Sequence, residues 1–292
     1  MIGSAEAFGR RFTRFADMEC RGASALYEQL ALSIARDPEL LALAAHTAQG
    51  QPVPNLFLAA VHYLLLQGQA DPLVQFYPSL TAEPAPPEAA YPTFRSFCLA
   101  HAVAIQQLLM TRRVQTNEVG RCVYLFPAFS LVASLANGRP LALIEIGTSA
   151  GLNLLWDQYG YHYGEDAVYG DWQSPVQLTC RLRGDRHPPL IHPMPRVALR
   201  VGIDLHIIDI RDAEEVGWLY ALVWPEERER ARLLRHAMEL TRRSPPQLLS
   251  GDGLIVLPEV LRTIPAEAAV CVFHTHTINQ FSVETRDRHT AL

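Results

Sequence analysis

Glu145, Gly147, Thr148, Ser149, Gly151 and Asn153 lie close together between two apolar runs. Leu141 to Ile146 is apolar apart from Glu145, and Leu152, Leu154 and Leu155 resume apolar character at helical spacing. The pattern predicts a strand, a tight glycine turn and a helix, because glycine permits the reversal and lets another group approach the backbone. Two chemistries fit such a turn. Ser149, central between Gly147 and Gly151, would act as a nucleophile if an acid (Asp204, Asp209 or Asp252) and a base (His274 or His276) reached it, and these follow in the chain order Ser, Asp, His. Alternatively, the turn cradles a nucleotide-like cofactor against the start of the helix. Glu145 favours the cradle, since a carboxylate near the end of a buried strand needs a polar ligand or loop amides to meet it.

The elements that must position these residues change character along the chain. From Ala5 to about Ala136 the apolar spacing is helical, with Asp37-Pro38 as a helix start and Gly68 as a stop. The proline-rich stretch Tyr77 to Pro92 reads as a loop, and Phe94 to Arg113 as one long amphipathic helix. Asn117 is expected to cap a helix over Glu118 to Ala136, kinked at Pro127 and stopped by Asn137-Gly138. Residues 1–138 thus read as a helical N-terminal domain. Residues 139–292 alternate strands with helices and predict an α/β domain with a mostly parallel sheet. Asp204 to Ile210 is expected to end the second strand, Gln247 to Ser250 to form the third and Val270 to Phe273 the fourth. A Tyr- and Gly-rich insertion, 159–200, separates the first two strands, and its tyrosines either pack or line an acceptor pocket. A serine hydrolase built on this turn would need earlier strands and an upstream oxyanion loop. The helical lead-in supplies neither, so the hydrolase stands as the alternative.

The run strand-Glu-x-Gly-x-x-x-Gly resembles the first motif of S-adenosylmethionine-dependent methyltransferases. That resemblance implies a Rossmann-like (class I methyltransferase-like) sheet with S-adenosylmethionine bound at 145–153. Glu145, Gly147, Thr148, Ser149, Gly151 and Asn153 would form the loop. Asp204 or Asp209 would meet ribose hydroxyls, as carboxylates do in dinucleotide folds, and Asp252 the adenine amine. His274 is the candidate catalytic base, and Asn117, Glu118, Arg121, His276 and Asn279 are candidates for the substrate side or a lid. Four blocks, QTNEVGRC (Gln115 to Cys122), EIGTSAGLNLLWDQYGYHYG (Glu145 to Gly164), VWPEERER (Val223 to Arg230) and FHTHTINQFS (Phe273 to Ser282), together resemble a bacterial family, domain of unknown function 2332. Against that resemblance the chain is expected to be truncated, with C-terminal strands missing. A third reading follows, a non-catalytic, truncated cofactor-binding module.

Composition excludes several classes. The 292 residues are 49% hydrophobic with a net charge of −5, so bulk charge makes no case for nucleic acid. All 25 basic residues are arginine, which excludes Schiff-base and P-loop lysine chemistry. The five cysteines form no C-x-x-C pair, which fits a reducing cytoplasm and no structural zinc. His274 and His276 alone are a poor metal site. There is no signal-peptide-like N-terminus and no apolar run near the ~18 residues that span a bilayer. The expectation is a soluble cytoplasmic protein whose partners are a small-molecule cofactor and an unknown acceptor.

Overall fold

The computed structural model describes residues 2–68, 70–164 and 167–277, with side chains from residue 6 onward. Helices α1 (Ile2–Phe15), α2 (Ala25–Ile34), α3 (Pro38–Ala44), α4 (Val53–Leu66), α5 (Tyr91–Ala100), α6 (Ala102–Thr111) and α7 (Cys122–Leu135) come first. Then follow β1 (Leu141–Ile146), β2 (Gly160–His162), β3 (Val168–Gly170), β4 (Gln177–Thr179) and β5 (Val197–Asp204). Helices α8 (Ala213–Ala221) and α9 (Arg228–Arg243), strand β6 (Gln247–Ser250), helix α10 (Gly253–Arg262) and strand β7 (Ala269–His274) complete the described chain. None of the described helices is long and apolar enough to cross a membrane.

The chain divides into two compact units, 1–116 with 213–231, and 117–212 with 232–292. The first is helical. Asp37 caps α3 as expected, accepting from the N–H groups of Glu39 and Leu40 at 2.9 and 3.1 Å. The long helix expected over 94–113 is two helices, broken at His101, whose φ of −108° and ψ of 20° leave the helical region. No Gly or Pro marks that break. The core of this unit is built on α1 to α6 and completed by Trp218, Ala221 and Leu222 from the later segment.

The second unit holds a four-stranded sheet in the order β6-β5-β1-β7, with every neighbouring pair parallel. β1 is its buried centre: all six residues of LALIEI are inaccessible, the pattern of a parallel strand covered on both faces. From α10, Leu257 and Val260 pack on Ile144, Ile146, Val201 and Ile203. From α7, Phe129 lies tilted against Trp156 (4.8 Å) and meets Phe273 edge-on (5.0 Å). The insertion contains a small sheet in the order β3-β2-β4, a hairpin plus a parallel strand. Tyr161, Tyr163 and Tyr169 pack against one another. The hydroxyls of Tyr159, Tyr161 and Tyr163 donate to the carbonyls of Leu152, Trp156 and Val123. The segment Asp204 to Ile210 is strand only at Asp204. The second strand of the sheet is Val197–Asp204, and the chain leaves it there.

Candidate functional site

The turn after β1 runs through Gly147 (φ 76°), Ser149 (φ 57°) and Gly151 (φ 76°) before a short 3-10 helix, Leu152–Gln158. Both glycines are required by the protein's own packing. A Cβ on Gly147 would collide with Thr277, whose Oγ1 donates to the Ile146 carbonyl at 3.2 Å. A Cβ on Gly151 would come within 2.9 Å of Pro246 and 3.0 Å of Leu248. The turn's amides likewise have protein acceptors. Gly147 N–H donates to Ile203 O (2.8 Å), Ser149 N–H to Asp204 Oδ2 (2.8 Å), Gly151 N–H to Thr148 O (2.9 Å) and Leu152 N–H to Asn117 Oδ1 (3.1 Å).

Glu145 is completely buried. Its Oε2 accepts from Thr148 Oγ1 at 2.9 Å and its Oε1 from Asn153 Nδ2 at 3.3 Å, while Cys122 Sγ lies 3.5 Å from Asn153 Oδ1. Burial pushes its carboxyl up to about 7, against the two hydrogen bonds and the charge of Arg121, which pull it down. Glu145 therefore organises the loop from beneath and offers no face to a ligand.

Asp204, the last residue of β5, holds the other side of the loop. Besides Ser149 N–H it accepts from His206 N–H at 3.0 Å, and its own carbonyl accepts from Gly251 N–H at 2.9 Å. The carboxyl ends of β1, β5 and β6 are thus laced together. Arg121 ties in the segment after β7, donating to Thr275 O (3.2 Å) and Thr275 Oγ1 (3.1 Å). His274 ends β7 opposite Ile146.

The predicted residues separate accordingly. Glu145, Gly147, Thr148, Ser149, Gly151, Asn153, Asp204 and Asn117 come together around the loop, while Arg121 bonds to Thr275 after β7. Asn117 does not cap its own helix; its side chain reaches across to Leu152. Glu118 caps the short turn Val119–Arg121 through Gly120 N–H. Asp209 lies in an exposed turn and pairs with Arg211, which holds its carboxyl below the usual range. Asp252 is exposed and caps α10 through Leu254 N–H at 2.8 Å. His276 is exposed with φ 63°, and Asn279 lies outside the described residues. Ser149 is not a helix cap. Gly151 occupies that position, and Ser149 Oγ, on a residue 2% exposed, has no hydrogen-bond partner among the described residues. Sequence reading missed Gly202 and Thr277. Gly202 had a signal, since a glycine inside a strand often marks close approach, and a Cβ there would come within 2.5 Å of Thr148 Cγ2.

The profile of the family described as "Uncharacterized protein conserved in bacteria (DUF2332)" matches residues 9–292. The chain belongs to the DUF2332 family. Neither a curated protein nor a solved structure gives a match. In this DUF2332 chain the blocks Gln115 to Cys122, Glu145 to Gly164 and Phe273 to Ser282 each contribute to the network, through Asn117 and Arg121, through the loop itself, and through Thr275 and Thr277.

Proposed function

We propose that this DUF2332 chain binds S-adenosylmethionine at the carboxyl end of its parallel sheet and acts as a methyltransferase. The observation that carries the reading is the strand order. In chain order β6-β5-β1-β7 is third, second, first, fourth, the arrangement of the first half of a doubly wound Rossmann-like sheet. Such sheets take ligands beyond the carboxyl ends of their strands, at the point where the order reverses. Here that point lies between β1 and β7, next to the Gly147 turn and His274.

The loop chemistry favours a ligand without phosphates. A phosphate cradle needs unengaged amides at a helix start, and the amides of Gly147, Ser149, Gly151 and Leu152 already donate within the protein. A nucleoside sulfonium needs none of them. The glycines no longer speak for a ligand, since packing requires them. The polar groups at this end of the sheet that the reading assigns to the ligand side are Asp204, whose carboxylate also holds the Ser149 and His206 amides, His274 at the end of β7, and Ser149 Oγ. When bound, the sulfonium supplies an already activated methyl group, so the chain's part is positioning, with His274 as the candidate base for the acceptor.

The serine hydrolase alternative requires a base on Ser149, and Ser149 Oγ makes no hydrogen bond to His274 or any other described residue. Calorimetry with S-adenosylmethionine and S-adenosylhomocysteine tests the proposal. Saturable binding that weakens in Asp204→Ala is expected, and no heat at millimolar ligand overturns it. Binding without methyl transfer to any acceptor in a lysate would leave a cofactor-binding module. A fluorophosphonate label lost in Ser149→Ala would instead establish the hydrolase.

A further inference from the structure

The chain leaving β7 runs Thr275-His276-Thr277, and both threonines are fastened to the rest of the unit. Thr275, itself buried, accepts from Arg121 through its carbonyl at 3.2 Å and through its Oγ1 at 3.1 Å. Thr277 Oγ1 donates to Ile146 O, at the end of β1, at 3.2 Å. The same threonine side chain fills the space that a Cβ on Gly147 would need. The backbone of His276 is thus pinned on both sides, next to the Gly147 turn.

His276 is nevertheless exposed, and its φ is 63°. L side chains enter that left-handed region at a conformational cost, whereas glycine takes it freely. An exposed imidazole offers little packing to offset the cost. Non-glycine residues held in this way gather at active sites and ligand clamps. The turn at His276 stands where such a clamp is wanted, at the carboxyl end of β7 beside the point at which the strand order reverses.

We propose, on the reading that S-adenosylmethionine occupies the carboxyl end of the sheet, that His276 binds the amino-acid end of that ligand. Strand order supplies the orientation. β1 lies between β5 and β7. Asp204 ends β5 and takes the ribose side, so a ligand lying across the end of β1 sends its amino-acid half towards the chain after β7. There an imidazole N–H donates to the ligand carboxylate. A histidine ring carries at least one N–H in either protonation state, and a hydrogen bond to an ionised carboxylate is stronger than one between neutral groups. Thr275 and Thr277 fix the position, and His276 makes the contact.

The test compares S-adenosylhomocysteine, which carries the amino-acid end, with adenosine, which lacks it. Binding to the intact protein is read by calorimetry and by ligand-observed NMR. Two variants are used, with thermal melting to monitor their fold. His276→Asn keeps a residue that tolerates the left-handed backbone, and His276→Gly needs no such tolerance. S-adenosylhomocysteine should bind both variants about tenfold more weakly than wild type, the loss expected for one hydrogen bond to a charged group. Adenosine should not distinguish the variants from wild type. Labelling with diethylpyrocarbonate, located by mass spectrometry, needs no variant: His276 should label in the free protein and be shielded by saturating S-adenosylhomocysteine. No binding of S-adenosylhomocysteine to wild type would overturn the cofactor reading and the role of His276 together. Binding to wild type combined with full affinity in His276→Asn, with equal weakening of both ligands, or with labelling of His276 that the ligand leaves unchanged would overturn the role of His276 alone.

Discussion

Glu145 is a carboxyl with no access to water, held by one hydroxyl and one amide. Its pKa rises on folding from 4.5 to about 7, so between those values the folded chain binds more protons than the unfolded one. Stability contributed through Glu145 therefore falls as pH rises through that window and is level above it. The span corresponds to about 3 kcal/mol. Glu145→Gln removes the titration while keeping a side chain that fills the same space. Urea unfolding at pH 5 and pH 8 should show the variant gaining about 2 kcal/mol or somewhat more relative to wild type, since pH 5 already lies inside the window. Parallel pH dependence in the two proteins would show that Glu145 is already ionised in the folded state.

At the scale of elements, the loop after β1 is held from three directions, and the links differ in how visible they are in the sequence. β1, its glycine turn and the order of the later strands are legible, because a six-residue apolar run ending in Gly-x-x-x-Gly is a local signal. The partners of that turn are not. Asn117 reaches Leu152 across 35 residues and Arg121 reaches Thr275 across 154, and no local pattern encodes either bond. Asn117 reads as a cap because Asn before a helix usually is one; tertiary geometry redirects it. The run Asp204 to Ile210 misleads for a related reason. Its isoleucines look like strand, yet Asp204 accepts from His206 N–H, a local turn that carries the chain out of the sheet. The break at His101 is silent too, since neither Gly nor Pro marks it. Asn117→Ala tests the reach across to the loop. Leu152 N–H would lose its acceptor in a buried setting, at a cost of about 1–3 kcal/mol, whereas Asn117→Asp retains an acceptor and should recover part of it. Thermal melts of both variants decide the point; an unchanged melt in Asn117→Ala would mean the bond contributes nothing net.

At the scale of the whole molecule, the helical unit is discontinuous in sequence: it recruits 213–231 from beyond the first strands of the sheet. That recruitment is energetic as well as geometric. Trp218 packs edge-on to Tyr63 at 5.7 Å, and its Nε1 donates to Arg113 O at 2.8 Å. Arg112 pairs with Glu214 and Glu215. The buried ring of His62 lies 3.1 Å from Ala221 O through Nδ1 and 2.8 Å from Ser79 Oγ through Nε2, with its pKa lowered to about 4 by burial. Removing the segment would uncover Trp218, Ala221 and Leu222 from the core and strip His62 of a partner, at a cost of several kcal/mol from apolar area alone. Against a net stability of about 5–15 kcal/mol for a typical domain, such a loss is decisive. Residues 1–116 expressed alone should therefore lack a cooperative melt and bind a hydrophobic dye, despite containing α1 to α6. The same fragment joined through a flexible linker to 213–231 should regain a cooperative transition. A cooperative melt of 1–116 alone, at the temperature of the linked form, would show that α8 merely rests on a unit already stable without it.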